Sequence, residues 1–266
     1  IDTAGGFQDS MLAVKAITGA TDDQFQALNK TAKDLGAATK YTAKEAAEGM
    51  KFLGMAGFDT NQIIAALPAT LNLAEATSMQ LGQAADYVSN IMQGFGLQAE
   101  ETARATDVLA MTAKSSNTNV SQLAEGMKYV APVARAVGAS IEETAAAMGA
   151  LGDAGIQASM GGTSLRRILL QLTSPTAEAS AALQRMGVQV AKNADGNVNL
   201  TETLRRLRDA NMGAAEAEQI FGVYAVSSAI ALKDNLTKFE QLTKKNYEAK
   251  GALDEWVATV RTSFVA

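Results

Sequence analysis

Two pairs of adjacent carboxylates, Glu100/Glu101 and Glu142/Glu143, are the side chains whose type and spacing best suit acid–base chemistry, such as cleavage of a glycosidic bond. That chemistry needs an acid that keeps its proton in an apolar cleft, beside a groove where sugars stack on aromatic rings. Both pairs instead fall at expected helix starts, where the helix dipole favours the charged carboxylate. The chain has one Trp to offer a sugar. These residues read as caps, and no catalytic residue is assigned.

A second candidate is Gly161-Gly162-Thr163-Ser164, read as opening a helix, with Arg166 and Arg167 one turn later. Backbone N–H groups at such a start can hold an anion. The simpler reading is a capped helix after a flexible turn. Gly94-Phe95-Gly96 lacks the third glycine and the preceding strand of a dinucleotide loop, and no Gly-Lys-Ser/Thr occurs. Asn193-Ala194-Asp195-Gly196 could open a calcium loop, but its glycine stands too early, and Leu204 falls where such a loop needs a bidentate Glu. It reads as a turn. The basic clusters Arg166-Arg167, Arg205-Arg206-Arg208 and Lys244-Lys245 lack the interleaved aromatics of a nucleic-acid face. They read as solvated helix faces or an interface rim.

Composition narrows the chemistry further. The 266 residues include no Cys and no His. A thiolate zinc site, an Fe–S cluster, a disulfide framework and a cysteine nucleophile are excluded. So are an imidazole general base and the ordinary haem and non-haem iron sites. The net charge of −5 gives no global attraction to nucleic acid or anionic lipid. No cofactor, metal or small-molecule substrate is expected. The most apolar stretch, 144–156, is broken by Gly149, Gly152 and Asp153, so no membrane span is expected either. Residue 1 is Ile with no basic-then-apolar leader after it; no signal peptide is expected, and the chain reads as starting within a longer frame or after processing.

The elements that must position any site are helices. About one residue in five is Ala and only 3 are Pro. Thr42 with Glu45, Asp59 with Gln62, and Ser140 with Glu143 have the capping-box spacing. Ser174-Pro175 suits an N-cap and first helical position. Gly36, Gly57, Gly96, Gly138 and Gly187 read as helix ends. Helices are expected near 8–18, 21–36, 42–56, 60–76, 78–94, 98–114, 120–137, 140–154, 162–173, 175–187 and 201–210, with a long, interrupted helical segment over 213–262. Asp195-Gly196 between short β-prone runs predicts one β-hairpin near 188–200.

Two strings recur. Glu48-Gly49-Met50-Lys51-Phe52 returns as Glu125-Gly126-Met127-Lys128-Tyr129, and Glu100-Glu101-Thr102-Ala103 returns as Glu142-Glu143-Thr144-Ala145. With glycines about 40 residues apart, this suggests stacked helical hairpins sharing one core. The expected fold is all-α, in four parts: N-terminal helices over 1–40, the hairpin-repeat core over 41–173, a helix plus β-hairpin over 174–210, and C-terminal amphipathic helices over 211–266.

In the last part, Ala225, Ala229, Leu232, Leu236 and Phe239 follow a short heptad seam. A second apolar set follows Gly251: Leu253, Trp256, Val257, Val260 and Phe264. The seam could pack on its own domain or join copies of the chain. The candidate association residues are Ala225, Ala229, Leu232, Leu236, Phe239, Trp256, Val257 and Val260.

One family carries these features in order. The segments are Thr18-Gly19-Ala20-Thr21; Ala32-Lys33-Asp34-Leu35-Gly36; Tyr41 to Met50; Met55-Ala56-Gly57-Phe58; Leu67-Pro68-Ala69-Thr70-Leu71-Asn72-Leu73-Ala74; Gly152-Asp153-Ala154-Gly155-Ile156; and Gly162-Thr163-Ser164-Leu165-Arg166-Arg167. Over about 8–210 the sequence resembles the core domain of the tail tape-measure proteins of long-tailed bacteriophages and prophages. It departs slightly at Gly161, where many relatives have Ala. The resemblance implies a structural virion protein lying in the lumen of the phage tail, made in the host cytoplasm, organising tail assembly and tail length, and released before DNA ejection. It implies a homo-oligomer of few copies, a trimer among the options, with tail tube proteins, tail-tip proteins and tail assembly chaperones as partners. This segment would be the N-terminal core of a longer chain, binding neither nucleic acid nor membrane directly. The rival reading is a helical-repeat scaffold or adaptor of cellular origin, including a chemoreceptor-like rod; a rod would sustain heptads over many turns, whereas glycine interrupts this chain about every 20 residues.

Overall fold

The computed structural model describes residues 2–263, with side chains from residue 6. Among these residues the protein is all-α, with fifteen α-helices, one 3₁₀ turn and no sheet. The chain divides into two compact units, Ile1–Asp107 with Gly251–Ala266, and Val108–Lys250. The second is thus inserted into the chain of the first.

The first unit holds α1 (Asp2–Thr18), α2 (Asp22–Ala38), α3 (Ala43–Met55), α4 (Thr60–Thr77), α5 (Leu81–Phe95), the 3₁₀ turn Ala99–Glu101 and, after the insertion, α15 (Ala252–Ser263). Here α3 is central and packs against α1, α2, α4 and α5. Gly49 lets it approach α4, since a Cβ there would lie 2.9 Å from Leu67 Cδ1. Leu28, Met50, Leu53, Ile63, Leu67 and Leu71 are fully buried around this crossing.

The boundary between the units falls inside α6 (Thr102–Ser115). The second unit continues with α7 (Val120–Ala136), α8 (Ile141–Asp153), α9 (Ala158–Thr173), α10 (Ala177–Arg185), α11 (Leu200–Asp209), α12 (Ala214–Phe221), α13 (Val226–Asp234) and α14 (Leu236–Tyr247). Its tightest packing is α7 on α9, where Gly162 meets Gly126: a Cβ on Gly162 would stand 2.1 Å from the Gly126 carbonyl oxygen. Leu123, Met127, Leu165, Ile168, Leu204, Phe221 and Phe239 fill the core.

The three expected capping boxes form. The Glu45 and Glu143 carboxylates and the Gln62 amide oxygen each accept the N-cap backbone N–H in return for a bond to the N-cap side chain. Gly57, Gly96, Gly138 and Gly187 sit at helix ends with φ between 67° and 93°. Gly36 does not. It lies within α2, and a Cβ there would be 2.5 Å from the Ala43 backbone nitrogen, so its missing side chain admits the chain entering α3. The N-cap of α10 is Thr176 rather than Ser174; its hydroxyl accepts the Ala179 N–H. Pro68 and Pro132 lie inside α4 and α7, where each removes one backbone hydrogen bond.

The expected β-hairpin is not present. The turn at Asp195-Gly196 exists, with Gly196 at φ 82°, but it closes a single antiparallel bridge between Lys192 and Val198. The flanks are already committed to helix ends. Val188 donates back to the Leu183 carbonyl as α10 closes, and Asn199 caps α11. The Ala191 N–H goes to the Thr203 hydroxyl instead of a strand partner.

The C-terminal helical segment is interrupted, as expected from its sequence. Gly222, Asn235 and Gly251 cut it into α12, α13, α14 and α15. The recurring Glu-Gly-Met-Lys string lies on α3 in one unit and α7 in the other. Each copy puts its glycine at a helix crossing and is followed by a positive-φ glycine and a second capping box.

Candidate association surfaces

The seam residues Ala225, Ala229, Leu232, Leu236 and Phe239 are buried within their own unit. Ala225 precedes α13, Asn235 interrupts the run, and α13 and α14 lie against α8, α9 and α11. Polar joints lock them there. Ser228 donates to Ser164 at 2.7 Å; Thr112 donates to the Asn246 amide oxygen at 3.0 Å, and that amide donates to the Glu142 carbonyl at 3.0 Å. Every hydroxyl and amide in these joints is buried and satisfied, which makes the packing specific as well as tight.

On α15, Leu253 and Val257 are buried against α4 while Trp256 and Val260 are half-buried. Phe264 lies outside the described residues. Three polar joints hold α15 in the first unit. The Asp107 carboxylate accepts the backbone N–H of Gly251 at 2.8 Å and of Leu253 at 2.9 Å. Asn72 donates to Asp254, and Arg261 binds Glu75 through two parallel bonds of 2.8 and 2.9 Å. Glu75 is only 2% exposed. The hydrogen bond from Arg261 holds its carboxyl below the usual glutamate range, against the opposing effect of burial. Burial, with Glu75 and Glu45 nearby, pushes the Tyr41 hydroxyl up to about 12. None of these long-range partners carries a local sequence signal; only a buried charge demanding a counter-charge could have pointed to Glu75.

The anion cradle does not form. Helix α9 begins at Ala158, so Gly161 and Gly162 lie within it and are buried, Gly161 against Met148 of α8 and Gly162 against α7. In the Arg205 cluster, Arg205 pairs with Glu202 and Glu240, Arg206 with Glu202, and Arg208 with Asp209. That basic run is neutralised in place.

Arg166 and Arg167 differ. On the outer face of α9, Met160, Thr163, Arg166, Arg167 and Leu170 are exposed, and neither guanidinium pairs with a carboxylate of any described residue. Arg167 lies over the Tyr224 ring, 5.1 Å from its centroid. Gly222, at φ 77° and ψ 159°, makes a turn only glycine tolerates, after which Val223 and Tyr224 stand 65% and 78% exposed. In the first unit, α3 exposes Phe52 and Met55 in line with the half-buried Glu45 and Glu48.

Among the described residues no group of three or more Asp or Glu could hold a metal, and no helix is long and apolar enough to cross a membrane. Many of the polar groups serve caps and joints between helices. The profile of the phage-related minor tail protein family matches residues 29–254, and the chain belongs to that family. It is 35% identical to the tape measure protein of Pneumococcus phage Dp-1, over all of this chain and 24% of that protein. It is 34% identical to the probable tape measure protein of Escherichia phage P2, over 92% of this chain and 31% of that protein. The resemblance read from the ordered segments is borne out. The chain spans about a quarter to a third of the length of these relatives. No solved structure matches it significantly.

Proposed function

We propose that this chain is a structural core segment of a tail tape-measure protein, built into the tail lumen in a few copies, meeting tail tube and tip proteins and assembly chaperones, and leaving ahead of the DNA. The match of all of its length to part of one tape measure protein, and of 92% of its length to part of a probable second one, carries this reading. The all-helical build supports it, because a helix has a fixed rise of about 1.5 Å per residue and suits a ruler. The two Glu-Gly-Met-Lys helix pairs are the repeating element of the fold, and self-association uses surfaces the units leave exposed, with the half-buried Trp256 and Val260 beside them. The length-setting property resides mainly outside these residues. The test is electron microscopy of tails from phage carrying in-frame deletions. Deletions in the helical remainder of the gene shorten the tail in proportion, whereas deletions within 1–266 abolish assembly. Proportional shortening from this segment alone would refute the assignment.

A further inference from the structure

The two exposed helical stripes match each other. On α3 the half-buried Glu45 and Glu48 and the exposed Phe52 and Met55 are spaced three, four and three positions apart. On α9, Met160, Thr163, Arg167 and Leu170 have the same spacing. Each stripe spans about 15 Å of helix. One carries two carboxylates at its N-terminal end and two large apolar side chains at the other, with Met55 64% exposed. The second begins at Met160, 59% exposed, and carries Arg166 and Arg167 further along, with no acidic residue on its outer face. Glu48, Arg166 and Arg167 have no ion pair with any described residue, in a chain where most other Arg residues do.

Resting on the self-association proposed above, we propose that copies of this chain associate head to tail, with α3 of one copy laid antiparallel on α9 of the next. Antiparallel alignment sets Glu48 opposite Arg167, Phe52 over Thr163 and Met55 against Met160, with Arg166 reaching toward Glu45 and Glu48. Parallel alignment would put both carboxylates beside Met160 and Thr163 and Phe52 on Arg167, leaving every charge unmatched. Tyr224, stacked on Arg167, widens the arginine end of the α9 stripe with an exposed aromatic, and Tyr and Arg are the residue types that dominate interface energetics. Glu48 on Arg167 and Met55 on Met160 fix the register, and the parallel alternative leaves the charges unmatched. Because the two stripes are different surfaces, the contact is heterologous, and repetition closes a ring or extends a filament.

The experiment uses the 266-residue chain and two variants that each block one stripe, checked for native circular dichroism and thermal midpoint. Glu48→Arg with Met55→Arg blocks α3. Met160→Glu with Leu170→Glu blocks α9, while leaving Arg167 on Tyr224 and Phe52 in place. Light scattering at increasing concentration should show oligomers of the unaltered chain, association weakened about tenfold or more in each variant alone, and a 1:1 dimer when the two variants are mixed. That dimer forms because each variant retains the stripe the other has lost. Oligomers that survive in both variants would overturn the α3–α9 contact and leave self-association standing. A mixture that stays monomeric would also overturn the contact. An unaltered chain that remains monomeric to about 100 μM would sink both this contact and self-association of the segment.

Discussion

Asp107 caps Leu253 across 146 positions of sequence: its carboxylate accepts the Leu253 N–H at 2.9 Å and the Gly251 N–H at 2.8 Å. Asp107 is the last residue of the first unit before the insertion, and Gly251 is the first residue after it. One side chain therefore closes the break in the chain. It also supplies the N-terminal cap that α15 has no local Ser, Thr, Asp or Asn to provide, because Lys250 and Gly251 precede it.

Replacing Asp107 by Ala leaves those N–H groups without their acceptor and should cost about 0.5–2 kcal/mol, the usual range for a lost N-cap. Asn, which keeps an acceptor but not the charge opposite the helix dipole, should cost about half as much. Amide hydrogen exchange locates the effect. In Asp107→Ala the amides of 252–263 lose protection, while those of α7–α9 keep theirs. Equal loss across both sets would show that the joint does not act locally on α15.

What was legible in the sequence and what was not divide along the same line. Thr42, Asp59 and Ser140 announce their helices because a cap and its partner lie three residues apart, and nothing distant competes for them. The Asp195-Gly196 turn was legible too, yet the strands around it were not to be had, since Val188 and Asn199 were already committed to helix ends. The seam from Ala225 to Phe239 showed which side chains are apolar and in what order. It could not show that α8, α9 and α11 cover them. The Gly162 approach to Gly126, the Asp107 cap and the Glu75–Arg261 pair bring together residues far apart in sequence, and no spacing rule reports them.

The Glu75–Arg261 pair should be asymmetric. Arg261 is 45% exposed as a side chain, so losing Glu75 leaves a cation that water can still solvate. Losing Arg261 strands a carboxylate that is almost wholly buried. Arg261→Ala should therefore destabilise more, by about 2–4 kcal/mol, than Glu75→Gln. The pH dependence follows from the direction of each shift. The folded protein holds the Glu75 carboxyl below its ordinary range, so the stabilisation is present above about pH 4.3 and drains away as pH falls through the folded value. Thermal midpoints between about pH 5 and pH 3 should fall less steeply in Glu75→Gln than in the unaltered chain. At the alkaline end the sign reverses. Tyr41 is raised to about 12, so the folded state holds its proton longer than the unfolded chain and stability is lost as pH climbs past about 10. Tyr41→Phe should flatten that limb, and an unchanged slope would mean that Tyr41 does not report on folding.

The same Gly-to-Ala change should have opposite signs at two helical positions, because the backbone geometry is equally suitable for Ala and only the surroundings differ. At Gly162 the added Cβ would stand 2.1 Å from a carbonyl oxygen and 2.8 Å from the Cα of Gly126. Backbone cannot swing aside, so α7 and α9 must move apart along the closest packing in their unit. Gly162→Ala should cost about 3 kcal/mol or more, at or above the upper end of ordinary overpacking. At Gly6, inside α1, the nearest atoms are 3.3 Å away and belong to the Lys44 side chain, which can rotate clear. There the gain in helix propensity prevails, and Gly6→Ala should stabilise by about 0.5–1 kcal/mol. Urea midpoints of the two variants decide the matter. If Gly162→Ala unfolds where the unaltered chain does, α7 and α9 are not in the close contact described.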